Sequence, residues 1–191
     1  MIGRTRLPNA TIDYNYEWAN QLIRAIDQNL DRTFLGWPNH AEASGYYGSF
    51  YDTTDQTAAA INTPYAMRLN ATAESNQISV LNNSQITFKN RGTYNIQFSA
   101  QFTQSSASDN FIWIWMRKNG TTDIPNSAGK ISIKGSKGEL VAAWNFIVTV
   151  LAGEFIEIMW AVEDTGISLL HDAPNAFAPG VPSVIVTATS I

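Results

Sequence analysis

Thr93-Tyr94-Asn95-Ile96-Gln97-Phe98-Ser99-Ala100-Gln101-Phe102-Thr103 is the stretch that decides the fold. Tyr94, Ile96, Phe98, Ala100 and Phe102 alternate with Asn95, Gln97, Ser99 and Gln101 without a break. Successive side chains of a strand point to opposite faces, so this run buries one face and wets the other. A helix would scatter the same apolar residues around its axis.

The period of two continues downstream. Leu140, Ala142, Trp144, Phe146, Val148 and Val150 share one face of a strand over 140–151, and Ala152-Gly153-Glu154 turns the chain into a further strand over 155–163. The run 111–118 is apolar on both faces, with Phe111, Trp113 and Trp115 on one and Ile112, Ile114 and Met116 on the other. Such a strand is either covered on two sides or gives one face to a subunit contact. Lys118-Asn119-Gly120 signals a hairpin, because Asn and Gly tolerate positive φ. Gly135-Ser136-Lys137-Gly138 lacks the phosphate-loop pattern and reads as a hairpin loop. Shorter strands are predicted over 48–54, 66–70, 78–81, 85–89, 130–134, 167–170 and 183–189. Many short strands separated by Asn, Gly, Ser and Pro clusters predict a mainly β chain, an antiparallel β-sandwich.

Upstream the period changes. Tyr16, Ala19, Leu22, Ile23, Ile26 and Leu30 recur at spacings of three and four, which predicts an amphipathic α-helix over 13–34. Asp13 or Asn15 caps its start, and Gly36 followed by Pro38 closes it. A helix of about two heptads is marginal alone in water, so it docks, either on its own domain or on another subunit or partner. Tyr16, Trp18, Leu22, Ile23, Ile26 and Leu30 are therefore the candidate partner-interface residues. Residues 1–12 carry no periodicity and read as an extended arm. The chain thus divides into an arm-and-helix segment over 1–45, for attachment or oligomerisation, and a sandwich over 46–191.

The 191 residues are enough to bury about 70% of the extended chain's surface, ample for a core without metal or disulfide. Ser, Thr, Asn and Gln outnumber charged residues two to one, an uncommonly uncharged polar surface. A net charge of −4 argues against nucleic acid, which needs a basic patch. The start has no apolar core of a secretory signal, and no apolar run is long enough to cross a bilayer. With no cysteine there is no thiolate nucleophile and no cysteine zinc site.

Chemistry is sparse. His40 and His171 stand apart and outside metal-ligand spacing. No G-x-S-x-G motif occurs. Glu163, Asp164 and Asp172 are the one acidic grouping: a calcium site with loop carbonyls, or a solvated rim, with the rim favoured. Tyr46, Tyr47, Phe50 and Tyr51 line a sugar site, or pack the sandwich edge or a neighbouring subunit. The expectation is a protein that is not an enzyme and holds no cofactor.

The segment Ile86-Thr87-Phe88-Lys89-Asn90-Arg91-Gly92-Thr93-Tyr94-Asn95-Ile96-Gln97-Phe98-Ser99 resembles the glycine turn and Tyr-x-Ile-x-Phe run of jelly rolls like tumour necrosis factor and the complement globular head. Val148-Thr149-Val150-Leu151-Ala152-Gly153-Glu154 is similar to the hairpin before that family's penultimate strands, and Val184-Ile185-Val186 to its closing strand. Met67-Arg68-Leu69-Asn70, Trp115-Met116-Arg117-Lys118-Asn119-Gly120 and the leading Tyr16–Leu30 segment resemble proteins of tailed-bacteriophage particles. The resemblance implies a trimeric jelly roll over residues 46–191. Phe111, Trp113 and Trp115 are then its trimer-interface candidates. The function it implies is a capsid decoration or cement protein of the virion, bound to the major capsid protein or another virion protein. The alternative is the receptor-binding tip of a tail or head fibre that recognises a host glycan.

Overall fold

The computed structural model describes Ile23, which is helical and exposed, and residues 45–191. The expected arm over 1–12 lies outside the described residues, as does the expected helix over 13–34 apart from Ile23. The chain parts into two units between Ser44 and Gly45.

Its strands are β1 (Tyr47–Asp52), β2 (Gln56–Thr57), β3 (Tyr65–Ala66), β4 (Ala71–Asn76), β5 (Ile78–Leu81), β6 (Gln85–Phe88), β7 (Gly92–Gln104), β8 (Asn110–Lys118), β9 (Thr122–Asp123), β10 (Gly129–Ile133), β11 (Glu139–Val150), β12 (Phe155–Val162), β13 (Ile167–Leu169) and β14 (Val184–Ser190). They form two antiparallel sheets. The first runs β11-β7-β14-β1-β4, with β13 beside the far end of β7 and β2 beside β13. The second runs β10-β8-β12-β6-β5, with β9 beside β8 and β3 beside β12.

One hydrophobic core fills the space between the sheets. The inward faces of the period-two runs meet there: Tyr94, Ile96, Phe98, Ala100 and Phe102 of β7 against Ile112, Ile114 and Met116 of β8 and Ile156, Ile158 and Trp160 of β12. Ring pairs set the packing, Phe88 on Tyr94 at 4.4 Å and Phe102 on Trp160 at 5.8 Å between centroids. The Tyr94 hydroxyl donates to the Asn90 carbonyl at 2.9 Å, so its polar end costs little on burial.

Two expected hairpins are corrected. The turn at 135–138 joins β10 to β11 and the turn at 152–154 joins β11 to β12, and each passes from one sheet to the other. Turn residues fix a reversal of direction. They do not say whether the returning strand lies beside its predecessor or across the sandwich, and here all of β11 pairs with β7. The strand expected over 66–70 is also displaced. After β3 the chain is irregular, with Met67 and Leu69 buried and tied by backbone bonds to Ile158 (2.8 Å) and Asn83 (2.6 Å). β4 follows as a polar, exposed edge strand without a readable period.

The hairpin at Lys118-Asn119-Gly120 forms as read: Asn119 and Gly120 have φ of 51° and 72°, and Lys118 pairs with Thr122. Asn62, Asn82, Asn83 and Asn126 also take positive φ. Five of the twelve asparagines among the described residues therefore serve tight turns, since Asn is one of the few side chains that tolerate this region. Gln77, at φ 62°, carries the chain from β4 in the first sheet to β5 in the second.

Candidate functional site

The outward face of the first sheet is assembled by register. Tyr51, Ile185, Ser99 and Ala143 form one cross-strand row; Ser49, Thr187, Gln97 and Asn145 form the next; Tyr47, Thr189, Asn95 and Ile147 form a third. Val141 beside Gln101 and Thr149 beside Thr93 extend the rows on β11 and β7. None of these residues carries a charge. Glu139 bounds the face at one end and Glu74 of β4 at its side. Three rows of four positions and two rows of two, on strands about 4.8 Å apart with rows about 6.8 Å apart, span on the order of 500 Å² before side-chain relief.

Exposed apolar side chains concentrate along β11, with Ile147 at 68% and Val141 at 57% of full exposure. Among the described residues no strand lies beyond β11, and its inward Leu140, Trp144 and Phe146 are only partly covered. Nothing along its twelve residues blocks a neighbour: there is no Pro, Lys or Gly to blunt the edge. A shallow depression of about 350 Å³ lies on this face, lined by Gln97, Ser99, Ala143, Asn145, Ile185 and Thr187 among others. Polar contacts inside the face are weak and local, such as Asn145 Nδ2 to Asn95 Oδ1 at 3.1 Å.

Phe111, Trp113 and Trp115 lie together on the outward face of the second sheet, across from this surface. They are engaged by their own chain. Lys130 Nζ sits 3.6 Å from the Phe111 ring centroid and 5.0 Å from that of Trp113. The Trp115 indole donates to Asp123 Oδ1 at 2.8 Å, and Arg117 pairs with the same carboxylate at 2.7 Å. Those two donors, Arg117 first, hold the Asp123 carboxyl below the usual range. Charged groups thus cover both ends of the aromatic row, unlike the first sheet's face.

The acidic residues do not converge. Glu163 accepts the Phe111 backbone N–H at 3.0 Å, Asp164 accepts that of Gly166 at 2.7 Å, and Asp172 is tied by its backbone to Val181. Among the described residues no three His, Cys, Asp or Glu side chains gather as a metal site. The four aromatic residues near β1 are separated by the pleat. Phe50 is fully buried, Tyr47 and Tyr51 stand on the outward face, and Tyr46 precedes the strand. His171 sits in a loop, its backbone N–H donating to Asp55 at 2.8 Å. His40 and the partner candidates Tyr16, Trp18, Leu22, Ile26 and Leu30 lie outside the described residues.

The uncharged face is the feature that residue-by-residue reading missed. Its signal was present, because every second residue of β7, β11 and β14 except Glu139 is Ser, Thr, Asn, Gln or aliphatic, but only register shows those positions to be contiguous. No protein-family model matches the chain, and no curated protein is significantly similar to it in sequence.

Proposed function

We propose that residues 45–191 form a jelly roll that assembles as a homotrimer, and that the protein is a structural component of a tailed-phage particle, decorating its capsid. The observation that carries the trimer is the uncharged outward face of the first sheet, continuous with the open edge of β11. Interfaces are depleted of charge at their centre, and a stable one covers about 800 Å² on each partner. A face on the order of 500 Å² in projection supplies the larger part of that area. Closed symmetry would give the β11 edge a neighbour and remove it as a template for aggregation.

Nested pairing supports the jelly roll. β1 pairs β14, β6 pairs β12, β7 pairs β11 and β8 pairs β10, the ladder of one long hairpin rolled into two sheets. The virion role rests on the resemblance of the Met67–Asn70, Trp115–Gly120 and Tyr16–Leu30 segments to phage particle proteins. Attachment is assigned to the segment before residue 45, through Tyr16, Leu22, Ile23, Ile26 and Leu30.

Two measurements test this reading. Copies per purified particle should follow the capsid lattice, whereas a few per particle would mean a fibre tip. Leu22→Asp with Ile26→Asp should leave a folded trimer that no longer binds undecorated capsids. A variant that still decorates fully would refute the assignment of attachment.

A further inference from the structure

We propose that the loop from Asp172 to Val181 is a rigid docking knob with Phe177 as its anchor. Its partner is a second protein that offers an apolar pocket one aromatic ring wide, with a basic residue on the rim. This inference is independent of the virion reading.

Phe177 is 90% exposed, the most exposed large apolar side chain among the described residues. Its loop is nonetheless tightly built. Asp172 and Val181 exchange both backbone hydrogen bonds, at 3.0 and 2.9 Å. Asn175 Oδ1 accepts the backbone N–H groups of Phe177 (3.0 Å) and Ala178 (2.9 Å), and the Asn175 N–H donates to the Ala178 carbonyl at 3.1 Å. Pro174 and Pro179 flank that turn, and a Cβ on Gly180 would come within 3.1 Å of the Asp172 carbonyl oxygen. The root is fixed as well, since the Ser183 N–H donates to the Asp52 carbonyl at 2.9 Å. An aromatic held out on a preorganised loop loses little entropy on binding, which is how interface anchors act.

The loop's place and charge narrow the partner. β1 pairs Tyr47 with Thr189 and Asp52 with Val184, so the loop projects from the end of the sandwich opposite the entry of the chain at Gly45. Residues 173–181 carry no charge. At the loop's base lies a cleft of about 430 Å³ whose near side is lined by Glu139, Asp172, Leu170 and Val181 and whose far side, Gln101 and Val141, is the end of the face assigned to the trimer. Neither carboxylate is in an ion pair among the described residues. Arg68 is near the base but is bonded to Thr54 and Asp55. An acidic rim beside an apolar knob complements a basic rim beside an apolar pocket. It also disfavours an anionic bilayer, where one ring without Lys or Arg gives no stable anchoring.

The test uses the full chain. Phe177→p-benzoylphenylalanine is photo-crosslinked in extracts of the cells that make the protein, and the adduct is mapped by mass spectrometry. The mapped protein is then purified and titrated with wild type, Phe177→Ala and Phe177→Trp. The expected result is an adduct on one protein of different sequence, bound at least tenfold more weakly by Phe177→Ala and retained by Phe177→Trp. An adduct solely on a second copy of this chain overturns the proposal, as does binding indifferent to Phe177→Ala. So does the absence of any adduct. Phe177-dependent cosedimentation with phosphatidylcholine–phosphatidylglycerol vesicles would overturn it in favour of a membrane.

Discussion

Ile147→Asp separates folding from assembly. Ile147 stands on the outward face of β11, beside Asn95, and is 68% exposed in the single chain. Full burial of an Ile side chain stabilises by about 1.5–3 kcal/mol, so roughly two thirds of that, about 1–2 kcal/mol, is still to be gained per copy. Three copies around a threefold axis raise this to about 3–6 kcal/mol. A carboxylate buried there without a partner adds several kcal/mol per copy against assembly. In the isolated chain the same substitution is on the surface and should change stability by about 0.5 kcal/mol or little more. Light scattering after size-exclusion chromatography at micromolar concentration should therefore show a trimer for wild type and a folded monomer for Ile147→Asp. Ile185→Asp, in the neighbouring row, should behave alike. A wild-type monomer would refute the trimer, and an Ile147→Asp trimer would refute the choice of face. Dissociation by Trp113→Asp with an intact Ile147→Asp trimer would move the contact to the second sheet.

Gly48→Ala should destabilise the domain by about 1–3 kcal/mol in chemical denaturation, because its Cβ would come 2.5 Å from the fully buried Phe50 ring. Asn119→Ala should cost about 1–3 kcal/mol in the same assay: Asn119 holds φ 51°, and its side chain bonds Glu154 and the Phe155 N–H at 3.1 Å each. Asn119→Gly should cost less, since it restores the backbone freedom. Acid should weaken the fold. The Leu151 backbone N–H and then Lys118 hold Glu154 below its ordinary range, and Arg117 and then Trp115 do so for Asp123. Carboxyls depressed in the folded state contribute stability that is complete above about pH 5 and lost as pH falls through their folded values. Melting temperatures measured from pH 6 to pH 2 should fall mainly below pH 4, and Asp123→Asn should make that fall shallower.

Sequence by itself determined the sandwich's long strands. The side-chain alternation of β7 and β11 and the doubly apolar run of β8 are local facts, because a strand's two faces are written at every second residue. The Asn119-Gly120 turn was equally local, since positive φ is a property of the residue. Where each strand returns was not local. Gly135 and Gly153 reverse the chain, yet whether β11 and β12 join the first or the second sheet depends on partners far away in sequence, such as β7 for β11. β4 was illegible because an exposed edge strand needs no apolar period.

The candidate surfaces divide in the same way. Phe111, Trp113 and Trp115 stand out in the sequence because they are aromatic, but tertiary structure brought Lys130 and Asp123 to them. Gln97, Ser99, Asn145, Thr187 and Ile147 are unremarkable singly. Only register, which pairs residues as far apart in sequence as Tyr47 and Thr189, lines them up as one uncharged face. Composition already contained that shortage of charge. The fold alone decided where it would be concentrated, because cross-strand pairing adds together what each strand carries on its outward side.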